Sequence, residues 1–153
     1  MRLNTATPTQ RQPTRAQGWT LSELLISLAL MAVLAAVALP TFQSELRQAR
    51  RADAQSALQQ LQLDQARWRS HQPSFASDLN RLGWRSDQSP AGHYQIAIEN
   101  ATANGYTLVA TPIGAQAADS ACTPMRLQLQ HSATVVFSSG MGKAADPARC
   151  WRQ

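Results

Sequence analysis

The chain has 153 residues, 44% of them hydrophobic and 15% charged, a composition that excludes a wholly disordered or low-complexity protein and fits one globular domain. Basic residues outnumber acids 14 to 9, for a formal +5, which brings nucleic acid and anionic membrane surfaces into consideration as partners. Two cysteines and three scattered histidines supply no ligand cluster at metal spacing, so neither a metal nor a cofactor is expected.

Residues 1–18 hold Arg2, Arg11 and Arg15, no acid and almost nothing apolar, and read as a basic arm. Residues 19–39, WTLSELLISLALMAVLAAVAL, carry one charge, Glu23. A helix of that length rises about 31 Å, enough to cross a bilayer core. Residues 40–70 open on Pro40 and then turn polar and helix-favouring, with Leu46, Ala54, Ala57, Leu58, Leu61 and Trp68 falling on one face. This predicts a single helix, membrane-buried first and amphipathic later. Residues 71–92 carry turn residues around Leu79, Leu82 and Trp84 and read as a connecting loop. Residues 93–153 contain four strand-like runs, at 93–99, 106–112, 125–131 and 133–138. Asn104-Gly105 is a hairpin signal between the first two, and His131-Ser132 a tight turn between the last two. The expected fold is α+β: a long N-terminal helix laid across one face of a roughly four-stranded antiparallel sheet.

Three readings compete for residues 19–39: a secretory signal peptide, since Ala36-Val37-Ala38 has the form of a cleavage site; a plain membrane anchor; or a helix retained after a cut at Gly18. Glu23 discriminates between them. An ionisable group within an apolar span is costly unless it meets a partner, and a signal peptide gains nothing from it. Helices that bundle together can neutralise it with a positive charge from a neighbouring copy.

The string Gly18-Trp19-Thr20-Leu21-Ser22-Glu23-Leu24-Leu25, followed by an apolar helix and Pro40, resembles the N-terminus of type IV prepilins. Trp19 stands where the family usually has phenylalanine, and Ser22 where it usually has an aliphatic residue. The resemblance implies that prepilin peptidase cuts between Gly18 and Trp19 and N-methylates Trp19, that Glu23 serves assembly, and that Pro40 kinks the helix. It also implies a single-pass protein of the inner membrane, with its head in the periplasm, that later joins an extracellular pilus beside other pilin subunits. Charge alone leaves orientation tied, because Arg47, Arg50 and Arg51 after the span balance Arg2, Arg11 and Arg15 before it. Without residues 1–18 the chain carries eleven basic and nine acidic side chains, a formal +2.

In an oxidising compartment Cys122 and Cys150 are expected to pair, the alternative being two buried thiols. Residues 106–151, with Tyr106 to Pro112, Gly114, Gln116, Asp119, Cys122, Gly142-Lys143 and Cys150-Trp151, resemble the C-terminal half of PilE-like minor pilins. No enzyme signature is present: Gly140-Met141-Gly142-Lys143 lacks the spacer of a phosphate loop, and no histidine has a partner at triad spacing. Two roles remain. One is a minor subunit of a type IV pilus supporting biogenesis, twitching motility or adhesion. The other is a DNA receptor for natural transformation that uses Arg126, Lys143, Arg149 and Arg152, against which stands a merely solvated basic surface with Asp119 and Asp146 nearby. A pseudopilin of a type II secretion system shares the N-terminal pattern.

Overall fold

The computed structural model describes residues 19–140 and 147–151. Its elements are a long helix α1 (Leu21–Arg69), strands β1 (Tyr94–Glu99), β2 (Tyr106–Pro112), β3 (Met125–Gln130) and β4 (Thr134–Ser139), and a short helix α2 (Pro147–Cys150). Single 3-10 turns occupy Asn80–Leu82, Gly114–Ala118 and Ser120–Cys122. Two compact units are distinguished, Met1–Pro40 and Thr41–Gln153.

In the first unit α1 starts at Leu21 because Thr20 caps it. The Glu23 N–H donates to Thr20 Oγ1 (3.3 Å) and to the Thr20 carbonyl (3.1 Å), and Thr-x-x-Glu is the spacing of a capping box. The apolar side chains that follow find no core: Leu21 is 76% exposed and Leu34 70%. The segment is long and apolar enough to cross a membrane, and none of its apolar window is buried. A continuous apolar surface of this kind calls for lipid or neighbouring helices around it.

The second unit contains the core. Its part of α1 buries Ala54, Ala57, Leu58, Leu61 and Gln65, a stripe at helical spacing. Tyr94, Ile96, Leu108, Ala110, Met125 and Leu127 of the sheet belong to the same core cluster. Leu46, expected on this face, stays 38% exposed, because the buried stripe begins two turns later at Ala54. The position one turn after Leu61 is taken by Gln65, whose Nε2 donates to the Ala76 carbonyl (2.7 Å) while its Oε1 accepts the Ala76 N–H (2.9 Å). A buried amide satisfied on both sides pins the start of the 71–92 segment to the helix. The far end of that segment is held by the Asp53 carboxylate, which accepts from the Ser89 hydroxyl and the Ala91 and His93 N–H groups.

The sheet is an antiparallel meander in the order β1-β2-β3-β4, as the strand periodicity predicts, with ends that differ by a residue. The second tight turn is as expected: His131 (φ 51°) and Ser132 (φ 60°) both adopt the left-handed region and the Ala133 N–H bonds the Gln130 carbonyl (3.2 Å), the signature of a type I′ turn. The first is not. Residues 100–105 form a longer link between β1 and β2, and Gly105 is required there by close approach rather than by turning, since a Cβ would collide with the Leu129 carbonyl. The tail is covalently fixed, with Cys122 and Cys150 joined and their Cα atoms 5.6 Å apart.

Candidate functional site

One polar cluster of the second unit joins α1 to β1, to the turns ahead of β3 and to α2. Arg51 of α1 reaches Asp119 through two hydrogen bonds, Nε to Oδ2 (2.7 Å) and Nη2 to Oδ1 (2.8 Å), the bidentate geometry that favours arginine over lysine. Its Nη1 also donates to the Arg149 carbonyl (3.2 Å), and Gln55 Nε2 donates to the Cys150 carbonyl (2.9 Å). Gln116 Nε2 completes the cluster, donating to Tyr94 Oη (2.9 Å) and the Arg47 carbonyl (3.0 Å) and lying 3.3 Å from Asp119 Oδ2. The ion pair is largely removed from water, with side-chain exposures of 13% and 6%. Hydrogen bonding to Asp119 raises the affinity of the Arg51 guanidinium for its proton above the ordinary value.

Of the candidate basic residues, this cluster holds Arg149, through its carbonyl. Arg126 lies on β3 between Val109 and Ser138. Its strand neighbours Met125 and Leu127 are fully buried on the core side, so strand alternation puts Arg126 on the opposite face. Arg149 is exposed on α2, beside the disulfide. The chain around α2 packs on β4, on the core side of the sheet and not on the face that carries Arg126: Trp151 Nε1 donates to the Ser138 carbonyl (3.0 Å) and the Phe137 and Trp151 rings pack at 4.7 Å, while the Gly140 N–H bonds the Pro124 carbonyl (3.1 Å) between the end of β4 and the start of β3. Lys143 and Arg152 lie outside the described residues, as do Gly18 and Asp146. Asp119, counted from sequence against a basic surface, has its charge occupied by Arg51 on the interior. Sequence reasoning also passed over Arg81 and Arg85, both exposed on the 71–92 segment. Their signal was masked by Asp78 and Asp87, which stand three and two positions from them in the same segment.

Of the N-terminal candidates, Trp19 is exposed just ahead of α1, and Pro40 lies inside the helix. The Glu23 carboxylate makes no hydrogen bond or ion pair with any described residue, while its backbone carbonyl accepts from Ser27 Oγ (2.7 Å).

Burial raises the Tyr94 hydroxyl to about 12, where the hydrogen bond from Gln116 opposes the shift, and raises Tyr106 to about 12 with no opposing bond. Both folded-state values exceed the unfolded one, so the folded state favours the neutral phenol. Stability is therefore intact below pH 10 and declines as pH rises from 10 towards 12. A shift of this size corresponds to about 2–3 kcal/mol for each ring. Thermal unfolding followed across pH 8–12 is expected to show this loss, and Tyr94→Phe and Tyr106→Phe each to remove part of the pH dependence.

Two family models match the chain. Residues 13–39 match the prokaryotic N-terminal methylation motif. Residues 40–126, more than half of the chain, match the family described as type IV minor pilin ComP, DNA uptake sequence receptor. No individual curated protein matches. The second match begins where the first ends and closes on Arg126, so it takes in the amphipathic half of α1, the 71–92 segment and most of the sheet, whereas Lys143, Arg149 and Arg152 fall beyond it. An exposed apolar helix behind a methylation motif, continued into an α+β unit of this family, makes the chain a member of the type IV minor pilin family.

Proposed function

We propose that this chain is a DNA-receptor subunit of a type IV pilus. Residues 1–18 are removed by prepilin peptidase at Gly18-Trp19 and Trp19 is N-methylated. The apolar helix then holds the protein in the inner membrane with the Thr41–Gln153 unit in the periplasm. From there it is drawn into the filament beside other pilin subunits, Glu23 answering the new terminal amine of a neighbour and Pro40 loosening the helix where it leaves the bilayer. DNA is met by Arg126, Lys143, Arg149 and Arg152.

One observation favours this over a purely structural role. Asp119, the described acid closest in sequence to the basic group, is buried against Arg51, which leaves Arg126 and Arg149 without an anionic neighbour among their described hydrogen-bond and ion-pair partners. The relative's description as a DNA uptake sequence receptor points the same way. Support for twitching motility or adhesion would follow from filament membership alone and needs no feature of this surface.

Phosphate contacts release counterions, so each contributes about 0.9 to the slope of log affinity against log salt. Retention of duplex DNA by the full-length chain in detergent is expected to weaken steeply with salt. Replacing Arg126, Lys143, Arg149 and Arg152 together by alanine is expected to lower that slope by about 3–4. Absence of retention at low salt would leave only the structural role, and a gene deletion scored separately for filaments, twitching and DNA uptake separates the roles in the cell.

A further inference from the structure

A cleft of about 410 Å³ opens between the last turns of α1 and the His131-Ser132 turn, lined by Gln62 and Arg69 of the helix, Phe75, Tyr106 of β2, Leu129 of β3, and Ser132. It stands at the other end of β3 from Arg126 and has no part in the interface above. Its volume is in the range of small-ligand sites.

Its lining is prepared for a flat, hydrogen-bonding ring. Tyr106 is only 3% exposed and packs edge-on against Phe75, with centroids 4.8 Å apart and planes at 72°. Buried tyrosines ordinarily bond their hydroxyl to a partner, as Tyr94 does with Gln116. The Tyr106 hydroxyl makes no hydrogen bond with any described residue, so a proton donor stands ready in a wall of the cleft. Burial keeps that phenol neutral well beyond physiological pH. Arg69 is held over Phe75, its guanidinium carbon 5.7 Å from the ring centroid, with Nη1 donating to the Gln72 carbonyl (2.8 Å). A guanidinium fixed in this way is a stacking plane and a positive charge in one group. The Gln62 amide is likewise without a described partner. Ser132 is fixed by its N–H bond to the Asn104 carbonyl (2.8 Å), and its hydroxyl can accept a further hydrogen bond.

We propose that this cleft receives a single base of a DNA strand, stacked on the Arg69 plane and hydrogen-bonded by Tyr106 and Gln62. The inference rests on the DNA-receptor reading and gives it a second contact, one that engages a base rather than a phosphate. An apolar side chain from a neighbouring subunit would leave the Tyr106 hydroxyl, the Gln62 amide and the Arg69 charge desolvated without partners. A sugar ring offers the guanidinium no flat π-face. A base satisfies both demands, and the phosphates attached to it suit the positive charge at the rim.

The test uses the full-length chain in detergent with pentathymidylate carrying a central 2-aminopurine, an adenine analogue whose fluorescence falls on stacking. Saturating protein is expected to quench the probe, and Tyr106→Phe and Arg69→Lys each to weaken its binding about three- to tenfold with the unfolding temperature at neutral pH little changed. Arg69→Lys preserves the charge and removes the plane, which separates stacking from simple attraction. Absence of quenching, quenching that survives both substitutions at full affinity, or displacement by maltose but not by deoxyadenosine monophosphate overturns the proposal, the last outcome making the cleft a carbohydrate site. Duplex retention measured alongside distinguishes the two readings: a chain that retains duplex without quenching loses only the cleft, and one that quenches without retaining duplex loses only the Arg126–Arg149 interface.

Discussion

Replacing Arg51 by alanine is expected to destabilise the Thr41–Gln153 unit by about 3–5 kcal/mol, the range for removing one partner of a buried ion pair. The Asp119 carboxylate would keep only its long contact with Gln116 Nε2 (3.3 Å) in a site where its side chain is 6% exposed. The Arg149 carbonyl would lose its bond from the helix as well. Domains of this size are stable by roughly 5–15 kcal/mol, so the loss removes about a fifth of the total or more. Urea unfolding of the full-length chain, with the disulfide intact and read through the near-ultraviolet signal of Trp84 and Trp151, measures it. The double replacement Arg51→Met with Asp119→Leu is expected to recover most of the stability, since it leaves no buried charge unpaired. A loss below about 1 kcal/mol in Arg51→Ala would mean that the pair is solvated and behaves as a surface salt bridge.

Glu23→Ala is expected to leave membrane insertion intact and reduce incorporation into filaments to background. The carboxylate has no described partner within its own chain, and in a low-dielectric bundle it has a strong need for one. Cleavage at Gly18 would create that partner, the terminal amine of Trp19 on an adjacent subunit, and the pairing would fix the axial register of neighbouring helices. The cap at this site is a separate contribution, because the Thr20 hydroxyl accepts the Glu23 backbone N–H, a bond that Glu23→Ala retains. Loss of a cap costs about 0.5–2 kcal/mol, and Thr20→Ala isolates that contribution. If Thr20→Ala assembles normally while Glu23→Ala does not, intersubunit pairing is the function of the carboxylate. Equal defects in both variants would mean that assembly depends on the integrity of the helix start and not specifically on the carboxylate, and normal assembly of Glu23→Ala would remove it from assembly altogether.

Much of this architecture is written in local patterns. The 21-residue apolar run between Gly18 and Pro40 specifies a membrane-length helix by length and composition. Alternation in Tyr94, Ile96 and Ile98, and in Met125, Leu127 and Leu129, identifies two strands and the faces they bury. Side-chain periodicity and turn chemistry depend only on near neighbours, which is why His131-Ser132 is legible as a turn without knowing what the turn packs against.

Other features are set by partners far away in sequence. Nothing near Arg51 announces Asp119, 68 positions on, and a count of charges along the chain treats that aspartate as an opponent of the basic surface when it belongs to the interior. Gln65 reads as a polar interruption of the helix face until Ala76 supplies both a donor and an acceptor. Asp53 reads as a solvated charge until the 89–93 backbone closes over it. Leu46 fits the apolar stripe yet remains exposed, because periodicity states which side of a helix is apolar but not where the sheet beneath it begins. The sequence alone thus determined the membrane helix, the strand faces and the processing motif, all of which follow from interactions within a few residues. Only the tertiary structure decided which charges are neutralised, which carbonyls the helix holds, and that Tyr106 lines a cleft with its hydroxyl unpaired, because those outcomes depend on which segments the sheet topology brings together.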